Sequence, residues 1–131
     1  MKNQNYIHSD LSSIILEAFY KVYNTLGFGF LEKVYENAMM IELSNLNLDC
    51  KQQHQIDVYY DSKRVGDYYA DIIVEDSIII ELKAAKNIVD EHEAQLVNYL
   101  RATNIEVGLL MNFGQVPQHK RRVLTAEYKK R

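Results

Sequence analysis

The chain has little of what staples, divides or anchors a protein. It contains one cysteine, Cys50, so no internal disulfide can form, and a reducing, cytoplasmic setting is expected. It has one proline, Pro117, and five glycines, so no Pro- or Gly-rich linker splits its 131 residues. Tryptophan is absent, which leaves aromatic contacts to four Phe and ten Tyr. No run of about 18 apolar residues occurs, so no membrane-spanning helix and no membrane partner are expected. The stretch from Met1 to Asp10 is polar and has no apolar core region, so no secretory signal is expected either. Repeats, low-complexity tracts, a phosphate-cradling glycine loop, a Ser-His-Asp set and a cysteine nucleophile context are all missing. The histidines His8, His54, His92 and His119 fall at no paired metal spacing. The expectation is one domain over residues 1–131, with a flexible N-terminus at 1–8 and length enough for one hydrophobic core.

Charge is unevenly placed. Residues 1–119 carry 9 Lys/Arg against 17 Asp/Glu, a balance of −8, while residues 120–131 carry 6 Lys/Arg and one acid, a balance of +5. Lys120, Arg121, Arg122, Lys129, Lys130 and Arg131 therefore form a basic C-terminal segment. It reads either as a nucleic-acid contact made through phosphates or as a solvated tail.

Hydrophobic periodicity gives the element order. Ile14, Ile15, Ala18, Phe19, Val22 and Leu26 recur at helical spacing, predicting a helix from about Ser9 to Leu26, capped by Ser9 or Asp10 and ended by Gly27. A second helix is predicted over about Leu31 to Asn45, with Val34, Ala38 and Ile41 as its apolar stripe. The period then changes to two. Strands are predicted at Gln55 to Tyr60, Val65 to Val74 and Ser77 to Lys83, with Glu75-Asp76 as a tight turn. A helix over 89–102, with Asp90 as its cap, precedes a buried strand at Glu106 to Phe113 and a short edge strand at Val123-Leu124. The order ααβββαβ(β) is that of an α/β (α+β) sandwich.

The second and third strands carry the chemistry. A turn at Asp76 sets Ile72 against Ile80, Val74 against Ile78 and Ala70 against Leu82, which makes one apolar side. On the other side Ile73 meets Ile79, Asp71 meets Glu81 and Tyr69 meets Lys83. Opposed carboxylates repel, and a hard divalent cation would remove that cost. Glu81 and Lys83 are two apart and share a strand face. An exposed face in which Lys83 simply pairs with either acid fits the same residues.

Asp71 with Glu81-Leu82-Lys83 resembles the PD-(D/E)XK nuclease superfamily, although Tyr69-Ala70 stands where its proline would precede the aspartate. Gly29-Phe30-Leu31-Glu32-Lys33-Val34-Tyr35 reads G-x-x-E-x-x-Y and resembles the GxxExxY family, a bacterial branch of that superfamily. Gln95 and Tyr99 resemble the Q-x-x-x-Y of RecB-like nucleases, and four residues apart they share a helix face. The resemblance spans about residues 9–125. It implies a restriction-endonuclease-like core with a mixed central sheet flanked by helices, and hydrolysis of phosphodiesters, in DNA above all, with Mg²⁺ or Mn²⁺. It implies Asp71, Glu81 and Glu32 as metal ligands, with Lys83 and Gln95 completing the catalytic set. Tyr35 and Tyr99 are supporting residues, and Glu36 competes for the role of Glu32. A homodimer or a partner protein would supply further recognition. The reading set against this is a catalytically silent nucleic-acid-binding or dimeric assembly module that retains the nuclease fold.

Overall fold

A computed structural model describes residues 7–129 of the chain. Two helices come first, α1 (Ser9–Leu26) and α2 (Glu32–Asn45). Strands β1 (Cys50–Tyr60), β2 (Lys63–Val74) and β3 (Ile78–Lys83) follow, then α3 (Asp90–Arg101), β4 (Val107–Phe113), β5 (Pro117–Val123) and a single 3₁₀ turn at Ala126–Tyr128. The strands lie side by side in the order β1-β2-β3-β4-β5. All pairs are antiparallel except β3 and β4, which run parallel because α3 carries the chain back across the sheet. This is the mixed sheet with flanking helices that the residue pattern and the resemblance implied.

The helices cover the two sheet faces separately. Ile15, Phe19 and Val22 of α1 and Tyr35, Met39 and Leu43 of α2 pack on Ile72, Ile78, Ile80, Leu82 and the odd-numbered residues of β4. On the opposite face, Leu96, Tyr99 and Leu100 of α3 pack on Ile56, Ile73, Ile79 and Leu110. β3 is thus sandwiched, and its Ile78-Ile79-Ile80 run has 0% exposure throughout. A run apolar on both faces is what a central strand requires. The three-residue connection into it, Glu75-Asp76-Ser77, places Glu75 and Asp76 in the left-handed region at φ 53 and 51, and the Ser77 N–H closes it on the Val74 carbonyl at 2.9 Å.

Several expectations change. The inward face of α2 is Tyr35, Glu36, Met39 and Leu43, whereas Val34 and Ile41 are exposed, so the apolar stripe expected there is on the wrong side. A buried glutamate had made the true face look polar. His8, not Ser9 or Asp10, occupies the N-cap of α1, and Val89, not Asp90, that of α3. In α3 the side chain of His92 reaches back and accepts the Val89 N–H at 3.3 Å. Ile7 is buried and its carbonyl accepts a hydrogen bond from Arg121, while residues 1–6 of the segment expected to be flexible lie outside the described residues. β1 begins at Cys50, five residues ahead of the expected start. β5 is a full strand into which Lys120, Arg121 and Arg122 are built, rather than part of a tail.

Candidate active site

The β2–β3 register is the expected one: Val74 pairs with Ile78, Ile73 with Ile79 and Ile72 with Ile80. One step further on, the carboxylates take over the ladder. The Asp71 N–H donates to Glu81 Oε1 at 3.1 Å, and the Leu82 N–H donates to Asp71 Oδ2 at 2.8 Å. The two acids are thus locked to each other's strand, on the end of a rigid apolar hairpin.

Both carboxylates resist ionisation. Burial, then the negative charge of Asp71, pushes Glu81 up to about 8, against the pull of the Asp71 N–H and Lys83. Asp71 is also raised, first by burial and then by Glu36 and Glu32, while the Leu82 N–H and the Gln53 amide oppose the shift. Two acids driven toward their neutral forms by burial first and by neighbouring acids second are a site that lacks positive charge.

Lys83 supplies part of it. Its Nζ donates to Gln95 Oε1 at 3.4 Å, and Gln95 Nε2 donates to the Tyr99 hydroxyl at 2.9 Å. Helix α3 therefore holds the lysine from above, through the pair that sequence spacing had put on one helix face. Burial and the neighbouring Glu81 push Tyr99 up to about 12, so it acts as a neutral hydrogen-bonding group.

Sequence reasoning missed Gln52 and Gln53. Gln53 lies across from Asp71, between the pairs Gln52–Ile72 and His54–Ala70, at φ 52, and it makes no ladder pair itself. Its amide donates to Glu36 Oε1 at 2.7 Å and to Asp71 Oδ1 at 3.2 Å. Glu36 is 4% exposed and also accepts from Lys33 at 2.7 Å and from Gln52 at 2.5 Å. Of the two helix acids, Glu36 is thus tied to Asp71 through one side chain. Glu32 is exposed at the start of α2, and its charge bears on both Asp71 and Glu81. Tyr35 is buried away from the carboxylates: its hydroxyl donates to the Gly27 carbonyl at 2.7 Å and accepts the Phe30 N–H at 3.2 Å, and its ring stacks on Phe113.

The basic residues lie elsewhere. β5 is the far edge of the sheet, two strands from β3. Arg121 bonds Ser12 and Ile7, Arg122 pairs with Glu93 at 3.4 Å, and Lys129 donates to the carbonyls of Thr103 and Ile105. Lys120 is exposed, while Lys130 and Arg131 lie outside the described residues.

Among the described residues, no three His, Cys, Asp or Glu side chains converge tightly enough to enclose a metal ion. Mg²⁺ needs no such cage, since it is commonly held by one or two carboxylates plus water and substrate phosphate. Asp71 and Glu81 offer hard oxygen donors whose mutual repulsion a divalent cation would relieve, so the residues present fit one.

Three comparisons bear on this geometry. The family model described as the PD-(D/E)XK nuclease superfamily matches residues 9–123. Among solved structures, the chain is similar to the one titled "Crystal structure of SSO0001", with a TM-score of 0.58 over 93% of this chain at 17% identity. That likeness concerns the fold alone, and this chain spans 62% of the other's length. No curated protein matches the sequence.

Proposed function

The chain belongs to the PD-(D/E)XK nuclease superfamily, and from that premise we propose that it is a divalent-metal-dependent nuclease of the GxxExxY branch that hydrolyses phosphodiester bonds in DNA. The observation that carries the reading is the Asp71–Glu81 pair, two mutually repelling carboxylates at the end of an apolar hairpin, with Lys83 alongside on the same strand. Nucleases of this superfamily generally use divalent metals. Asp71 and Glu81 would hold the cation, with Glu32 or Glu36 adding negative charge from α2. When bound, such a cation polarises a phosphoryl oxygen and lowers the pKa of water.

The remaining work falls to this chain's own groups. Lys83 neutralises charge that grows on the phosphoryl oxygens as the bond to the attacking oxygen forms. Gln95 fixes the lysine's position and is itself fixed by Tyr99. Gln53 keeps Asp71 aligned while sharing its second N–H with Glu36.

Incubation with labelled single-stranded, duplex and branched DNA and with RNA, in Mg²⁺ or Mn²⁺, tests the reading. Cleavage that disappears in Asp71→Asn, together with a loss of metal affinity by calorimetry, supports it. Equal metal affinity in the wild type and Asp71→Asn removes the assignment. Metal binding without cleavage of any strand favours the silent binding module.

A further inference from the structure

Two clefts are lined by residues that neighbour the carboxylate centre. One, about 1300 Å³, lies between the β1–β2 hairpin and α3 and meets the centre through Gln95 and Tyr99. Its walls carry Asp57, Asp61 and Glu91 against Arg101, a balance that repels a polyanion. The other, about 750 Å³, lies between the α1–α2 loop and the segment that follows β3, starting at Ala84, next in the chain after Lys83. Its walls carry Phe28, Phe30, Lys33, Lys86 and Glu32.

The α1–α2 loop is held open. Gly27 and Gly29 sit at φ 70 and 111, where other residues are strained. The buried Tyr35 hydroxyl bonds the Gly27 carbonyl and the Phe30 N–H, so the loop is clamped at both ends. Clamped this way it leaves Phe28 57% and Phe30 48% exposed. Keeping two phenylalanines in water forgoes burial free energy. Aromatic faces and lysines lining one groove, which includes Glu32 and begins one residue after Lys83, are the chemistry that binds an unstacked base and its backbone.

We propose that this groove is a subsite for one unpaired nucleotide of the strand being cut, its base stacked on Phe28 and its phosphates met by Lys86 and Lys33. The inference rests on the nuclease reading above. Phe28 is the stacking face because it is the more exposed ring, whereas Phe30 leans edge-on to Tyr35 at 6.1 Å. Lys33 also pairs with Glu36, so Lys86 is the cleaner phosphate contact. A rigid duplex keeps its bases stacked and cannot offer one to the loop.

The test is fluorescence anisotropy with a labelled single-stranded DNA 12-mer, the matching RNA, a blunt duplex, and a set of 12-mers carrying one abasic position each. Ca²⁺ serves as the cation, since it fills oxygen sites. In the wild type, one abasic position should weaken binding roughly 5- to 150-fold, the worth of one base–aromatic stack. Phe28→Ala and Phe28→Leu should lose a similar factor on the intact strand and nothing further on that abasic strand, Phe28→Trp should bind as wild type, and duplex binding should not change. The RNA arm should show the same non-additive loss if the subsite reads bases irrespective of the sugar. Circular dichroism confirms that each variant is folded. If Phe28→Ala and Phe28→Leu bind the intact strand as wild type, or lose equally on intact and abasic strands, the subsite is wrong while the nuclease reading stands. If the wild type neither binds nor cuts any strand, both fall together.

Discussion

The two halves of the β2–β3 hairpin share strands and register yet do opposite work. Near the turn, Ile72, Ile73, Ile79 and Ile80 are between 0% and 3% exposed and bind the two helical layers together. One residue pair further on, the partly buried Asp71 and the 4%-exposed Glu81 put acidic groups in place of apolar ones. Apolar burial stabilises the first half, while the second is held off its most stable state by repulsion and desolvation. The lesson is that the fold provides rigidity directly beside the place where it tolerates strain, so that the acids cannot relax apart.

The comparison breaks most severely on its apolar side. Ile80→Ala removes a side chain buried between α1, α2 and the sheet and should cost about 2–5 kcal/mol of stability, read by denaturant unfolding. Retained stability would mean the hairpin is not the keel of the fold. On the acidic side, Lys83→Ala should leave unfolding nearly unchanged and keep metal binding, yet slow cleavage about 10²–10³-fold. Full activity in that variant would dismiss the lysine's role.

Acidity sharpens the contrast further. The Glu81 carboxyl titrates near 8 when folded, against an ordinary value of 4.5. A raised acid stabilises the fold below its unfolded value and loses that contribution as pH climbs toward and through the folded one. The metal-free protein should therefore lose stability on the order of a few kcal/mol between about pH 4.5 and 8. Glu81→Gln should flatten this slope, and added Mg²⁺ should offset it at high pH. Thermal melts at pH 6 and 8.5 check both, and a wild-type slope that survives in Glu81→Gln would move the effect to other groups. The smallest change is Gln53→Ala, which leaves both carboxylates in place but frees Asp71 from Glu36. Metal affinity should drop about 10–100-fold, the usual scale for a group that orients a ligand, and calorimetry would show it. An unchanged affinity would make the glutamine merely a kink in β1.

Most of the hairpin half of this contrast was legible in the sequence. Centring the hairpin turn on Asp76 sets a register, and that register alone brings Asp71 to Glu81. The Gln95–Tyr99 pair was legible because helical spacing is local. Gln53 was not, because its place opposite Asp71 depends on how β1 aligns with a strand beyond a turn, and because a glutamine at positive φ follows no propensity. The burial of Glu36 was hidden for a related reason: it is permitted by hydrogen bonds from Lys33, Gln52 and Gln53, two of them delivered from another element. The partners of the basic segment were not legible either, since charge counts do not show that Arg121 and Lys129 donate to carbonyls of the chain itself.

The parallel pairing of β3 with β4 has a consequence for how the chain comes to be folded at all. The hairpin closes locally, but the other edge of β3 stays bare until α3 has been made and β4 has arrived. For that interval Ile78-Ile79-Ile80 is an open, β-prone edge of the kind that recruits other chains. Glu75-Asp76 ahead of it and Glu81 and Lys83 behind it place charge at both borders. Such flanking charges act as gatekeepers against self-association. The acid and the lysine proposed to act on a phosphate are thus also the charges that border the bare edge of the central strand.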